Sequence, residues 1–188
     1  MFNIELTTQI AAYILYKRGG MMHFLKLMKL MYLTEQQYLL KYGEYLTGDK
    51  LVSMNNGPVL SGTYDLKKSQ AEIWDQWIKG EADHQVSLRV KNIDPSDPFE
   101  TFDLLSPAIT EVIDSIYQKY GWLNRFILCE LTHTKEVCPE WKDPHGSAIP
   151  IEYEDILEAN NVSPERAQAI SDRIKELESL QLTSATMV

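Results

Sequence analysis

The sequence predicts a mainly α, α+β fold: a compact helical domain around a buried central helix, with a small antiparallel β element. Three observations carry that reading. Residues 22–42 are apolar around most of a helical circumference, as a central core helix must be. Apolar side chains recur at three- and four-residue spacing in several other stretches, the period of a helix with one buried face. Val86, Leu88 and Val90 alternate with Ser87, Arg89 and Lys91, the period of two of a half-buried strand.

In chain order, Leu6, Ile10, Tyr13 and Ile14 predict a first helix from about Ile4 to Lys17, ended by Gly19-Gly20. The central helix follows from about Met22 to Tyr42 and stops at Gly43. Its only basic positions on the inner stretch are Lys26 and Lys29, which form a three-residue stripe with His23. The Gly48-Asp49 turn and Leu51-Val52 predict a short strand between Leu46 and Met54. Asn56-Gly57-Pro58 is turn punctuation, and a third helix is expected after it, to about Lys68. The alternating strand near residue 88 should pair antiparallel with a second strand at Phe99 to Leu104, across the Asp94–Pro98 loop. Ser106 before Pro107 starts a helix that runs to Gly121, because a hydroxyl caps the first turn and proline suits its first position. Further helices are expected at Trp122 to His133, Ile151 to Asn160 and Ser163 to Leu180. Residues 134–150 read as irregular and 183–188 as a frayed tail.

Composition sets the class. The chain has 188 residues, 44% hydrophobic and 24% charged, enough for one self-sufficient core and one domain over residues 1–182. Two cysteines cannot build a disulfide framework, and no secretory leader is evident, so a cytoplasmic protein is expected. His23, Lys26 and Lys29 interrupt the most apolar stretch, which argues against a membrane partner. The net charge of −9 is uneven: the first sixty residues carry six basic and four acidic groups, and the remainder is strongly acidic. Such a body repels phosphate backbones and argues against nucleic acid, while favouring capture of a basic protein.

Catalytic signatures are absent. Gly43 and Gly48 have the offset of a phosphate-binding loop, but Asp49 stands where lysine is needed. Cys129, His133, Cys138 and His145 could in principle hold zinc, yet their spacings of four, five and seven match no common module. Neither a metal nor another cofactor is expected, and the chain reads as a binding protein, not an enzyme. The His23, Lys26 and Lys29 stripe is either a basic docking surface or a set of stems covering the core with their heads in solvent or on a carboxylate. Trp74, Trp77, Trp122 and Trp141 read as core before interface.

The run Lys26-Leu27-Met28-Lys29-Leu30-Met31-Tyr32, then Gly43, Leu46, Thr47-Gly48-Asp49, Asn56-Gly57-Pro58-Val59 and Tyr64, resembles the Panacea domain of SocA-like antitoxins. Thr132-His133 and Trp141-Lys142 resemble that family's Ser/Thr-His step and its later tryptophan with a basic neighbour, and the likeness covers about residues 4–145. The resemblance implies an antitoxin of a bacterial or prophage type II toxin–antitoxin pair. Such a protein neutralises a cognate toxin, encoded by the adjacent gene, through direct binding and occlusion. One branch of that family instead delivers its toxin to a AAA+ protease, so the alternatives are an adaptor for a toxin or other client, or a transcriptional autoregulator. Toxin contact is expected at Lys26, Lys29, Tyr32, Asn56, Gly57, Pro58, Tyr64 and Trp141.

Overall fold

The computed structural model describes residues 1–69 and 71–186. Helix α1 (Ile4–Lys17) starts where the Asn3 side chain accepts from the Leu6 amide at 3.0 Å, and it stops at Gly19 and Gly20, both at positive φ. The chain then enters strand β1 (Met21–His23) before helix α2 (Phe24–Tyr42) begins. The expected start at Met22 is therefore two residues early. Pairing with a later strand buries Met22, and His23 becomes the cap, its Nδ1 accepting from the Leu25 amide at 3.2 Å. The centre of α2 is sealed, as its sequence requires: Leu27, Met28, Leu30, Met31, Tyr32 and Leu33 are all buried. Gly43 closes it in the left-handed conformation.

Strands β2 (Leu51–Met54) and β3 (Gly57–Leu60) form a hairpin across Asn55-Asn56, with Leu51 opposite Leu60 and Met54 opposite Gly57. Strand β3, which the turn signals do not reveal, intervenes before helix α3 (Ser61–Ser69). Pro58 sits in that strand without breaking the sheet, since β3 is an edge. The opposite edge is β6 (Ile149–Ile151), also proline-bearing, in a stretch expected to be irregular. Proline cannot offer its missing N–H to a further strand, so both edges resist extension.

A second small sheet has the order β1–β5–β4, built from β5 (Gln85–Leu88), β4 (Ile78–Gly80) and β1, with short helix α4 (Glu72–Trp77) leading in. The strand expected at Phe99–Leu104 does not form. Pro98 starts a single 3₁₀ turn (Pro98–Glu100), and Phe102 is buried against Tyr13, Tyr16 and Trp77. Aromatic anchoring to α1 replaces strand pairing, and β5 pairs with β1 and β4 instead.

Helix α5 (Pro107–Tyr120) is capped by Ser106 as expected. Helix α6 (Arg125–Leu131) starts later than expected, because the Asn124 side chain accepts from the Phe126 amide at 2.9 Å. Helices α7 (Tyr153–Ala159) and α8 (Pro164–Thr186) pack together, and Ile170 of α8 reaches Gly43. Of the tail expected at 183–188, the part to Thr186 lies in α8 and the last two residues lie outside the described ones. The result is mainly α with two three-stranded antiparallel sheets, wrapped around α2. Among the described residues no helix is long and apolar enough to cross a membrane.

Candidate functional site

Two charged groups of α2 organise the loops that follow it. Glu35 is fully buried and accepts from the amides of Leu46 and Thr47 at 2.7 and 3.0 Å and from the Thr47 hydroxyl at 2.6 Å. Burial raises its pKa, and these three donors oppose that rise. Thr47 Oγ1 in turn accepts from the Asp49 amide at 3.2 Å. The Asp49 carboxylate then receives the first-turn amides of α3, Gly62 at 2.8 Å and Thr63 at 2.7 Å, together with the Thr63 hydroxyl. Thr47-Gly48-Asp49 is thus a relay from the core helix to the N-terminus of α3.

Lys29 does the corresponding work for the β2–β3 hairpin. It is completely buried, and its ammonium donates to the Pro58 carbonyl at 2.8 Å. Burial pulls its pKa down to about 8. Gly57 lies beside it at a φ of +88°, and a Cβ there would sit 2.5 Å from Thr132 Oγ1, 3.0 Å from Lys29 Nζ and 3.3 Å from His133 Nε2. Only glycine fits such a junction. From α6, the Cys129 thiol donates to the Asn56 carbonyl at 3.1 Å. The His133 ring packs on Trp141 with centroids 4.4 Å apart, and the Trp141 indole donates to the Met54 carbonyl at 3.2 Å. Burial, then the charge of Lys29, lowers the His133 pKa, and among the described residues its Nε2 meets no hydrogen-bond partner.

On the outer side of this hairpin is an open cleft of about 440 Å³. Asn56, Gly57 and Tyr64 line it, with His23 and Phe24 from the start of α2 and His84 from the β4–β5 loop. Tyr64 is half-buried, its ring 5.7 Å from that of Phe24, and Asn56 is exposed at the rim. The cleft has apolar walls, neutral polar groups and no carboxylate or ammonium among its lining residues. Such a lining suits an apolar or aromatic side chain with polar backbone around it.

Of the residues expected at the contact surface, the structure gathers Lys29, Asn56, Gly57, Pro58, Tyr64 and Trp141 around one hairpin. Two lie elsewhere. Tyr32 is buried and donates to Glu140 Oε1 at 2.6 Å, while Lys26 is buried and donates to the Gly121 and Leu123 carbonyls at 2.5 and 2.8 Å. Lys26 and Lys29 therefore form no solvent-facing docking stripe. Both heads turn to backbone carbonyls and not to a carboxylate: that of Lys29 is sealed in the core, while that of Lys26 lies at the floor of a surface recess. Trp122 departs in the other direction and is 73% exposed.

Two groups escaped sequence reasoning, Glu35 and Glu140, while Asp49 stands in the quoted motif with no role assigned to it. A carboxylate such as Glu35 within an apolar helix is a usable signal, since a buried charge needs donors. Glu140 carried none. The Cys129, His133, Cys138 and His145 set does not converge: Cys138 is buried and His145 is exposed. No group of three potential metal ligands occurs among the described residues.

No curated protein and no solved structure matches the chain. The family model for the SocA-like antitoxin, Panacea domain, matches residues 27–142, which takes in α2 from Leu27 onward, both hairpin strands, the relay, α6 and Trp141. With well over half its length inside that match and the quoted motifs built into one hairpin and one relay, this chain belongs to the SocA-like antitoxin family of Panacea domains.

Proposed function

We propose that this protein is the antitoxin of a type II toxin–antitoxin pair and neutralises a cognate protein toxin by direct contact at the hairpin cleft. The carrying observation is that Asn56, Gly57 and Tyr64, nominated by sequence and all within the span of the family match, line one open cleft. The toxin inserts an apolar or aromatic side chain there, and the surrounding contact occludes its active surface. Lys29, Thr132 and Gly57 act behind the surface by holding the hairpin in its bound shape, which lowers the ordering cost of association. The acidic body, with a net charge of −9, speeds capture of a basic toxin.

The test pairs this gene with its neighbouring open reading frame. Inducing the neighbour alone should arrest growth, and co-expression should restore it with the two proteins eluting together. The variant Asn56→Trp, placed at the exposed rim, should fill the cleft and abolish rescue with an unchanged circular dichroism spectrum. Full rescue by that variant removes the cleft from the contact, and a harmless neighbour removes the antitoxin reading. Rescue accompanied by protease-dependent loss of the toxin would instead establish an adaptor.

A further inference from the structure

A second recess, of about 330 Å³, lies between β1 and the α5–α6 connection. It shares only His23 with the cleft. Arg18, Lys26 and Arg125 line it, and Asp83 is the single carboxylate among its lining residues. This excess of positive charge stands on a chain whose net charge is −9. Lys26 is 6% exposed, and its two acceptors, the Gly121 and Leu123 carbonyls, are neutral. An ammonium has three protons to donate, so one remains. Among the described residues no carboxylate pairs with Lys26, Arg18 or Arg125. Burial, then the nearby charge of Arg18, lowers the Lys26 pKa. A buried cation without a counter-ion is costly, and an incoming carboxylate would relieve it.

The rim is apolar. Trp122 is 73% exposed with the Arg18 guanidinium 5.6 Å from its ring, and Phe126 is 59% exposed with that of Arg125 at 4.3 Å. Met21, also lining the recess, is 50% exposed. Exposed tryptophan beside arginine is the composition of interface anchors, and clustered exposed apolar groups mark contact surfaces.

We infer that this recess binds an acidic–aromatic segment of a partner protein, a carboxylate entering among Arg18, Lys26 and Arg125 while an adjoining aromatic packs on Trp122 or Phe126. Charge complementarity selects the occupant. A nucleic-acid strand would bring a long polyanion against a body of net charge −9, whereas a peptide segment brings one or two carboxylates to the one cationic spot. The inference stands apart from the antitoxin reading, because it names the chemistry of a different surface.

The probe is a fluorescein-labelled dodecapeptide of serine and glycine with a central Glu-Phe-Glu, titrated by anisotropy into the full chain. Saturable binding is expected, at least about tenfold weaker when glutamate becomes lysine or phenylalanine becomes serine, and weakening as salt shortens the Debye length. The double variant Arg18→Ala, Arg125→Ala and the single variant Trp122→Ser should each lose about tenfold or more. In the unaltered chain the peptide should shift the tryptophan emission, a readout that needs no variant. Any of four results overturns the proposal: no saturable binding; equal binding of the lysine peptide; unchanged affinity of the double variant; or displacement of the peptide by a short single-stranded DNA. Sedimentation of a dimer that Trp122→Ser dissociates would overturn it too, making the patch a self-interface. No toxin enters this experiment, so its failure leaves the growth-rescue result untouched.

Discussion

The ammonium of Lys29 donates to the Pro58 carbonyl at 2.8 Å from a position with no solvent exposure. One side chain of the core helix therefore sets where the β2–β3 hairpin stands. The unfolded chain keeps that proton up to the ordinary lysine range, while the folded chain releases it near pH 8. Between about pH 8 and 10.5 the unfolded state binds more protons, so this group makes stability rise with pH across that window. The effect is up to about 3 kcal/mol. Lys29→Met should lack that rise, and urea melts of both proteins at pH 7, 8, 9 and 10 check it: parallel pH profiles would refute the assignment. Lys29→Glu is no test of docking, because a carboxylate against a carbonyl in the core should cost about 3–5 kcal/mol and unfold the protein.

Gly57→Ala should destabilise by roughly 2–4 kcal/mol, combining strain at positive φ with overpacking. The new Cβ has Thr132 Oγ1 at 2.5 Å and nowhere to move, since Lys29 and His133 close the other sides. Thermal denaturation of the single variant and of Gly57→Ala with Thr132→Ala measures it. The double variant should recover part of the loss.

Glu140 accepts from Tyr32 and Gln36 through Oε1, while its buried Oε2 meets no partner among the described residues. Burial raises its pKa, so its stabilising contribution is fullest below the ordinary glutamate range and is lost as pH climbs through the raised value. Glu140→Gln keeps an acceptor for both donors and removes the charge. It should melt higher than the wild type at pH 8, with the difference vanishing below about pH 4.5. A wild type that remains more stable at pH 8 would show that the ionised carboxylate is needed.

Asp49→Ala should expose the first turn of α3. Amide exchange at Gly62 and Thr63, both held by the Asp49 carboxylate, should accelerate, with about 2–3 kcal/mol lost overall. Exchange at those two amides that stays at the wild-type rate would mean that α3 is anchored from elsewhere.

Local signals were read well where local physics decides. The ends of α1, the Gly43 stop and the Ser106-Pro107 start all follow from capping and backbone freedom at single residues. The alternation near Val86 yielded β5, and the family match covers the quoted motifs from Leu27 onward. Strand partners were less legible. The register of β1 with β5 and of β2 with β6 joins residues about 65 and 98 positions apart, and no local pattern encodes such a match.

Periodicity, capping and ordered motifs are properties of neighbouring residues, so the class of fold, the buried central helix and the family are legible along the chain. What the charged groups of that helix do depends on the packing around it. Lys26 and Lys29 look alike on a helical wheel, three positions apart. Yet one ends at the carbonyls of Gly121 and Leu123 beside a surface recess, and the other ends inside the core beneath Pro58. The carbonyl each ammonium reaches belongs to a segment distant in sequence, and packing alone brings that segment within hydrogen-bonding range.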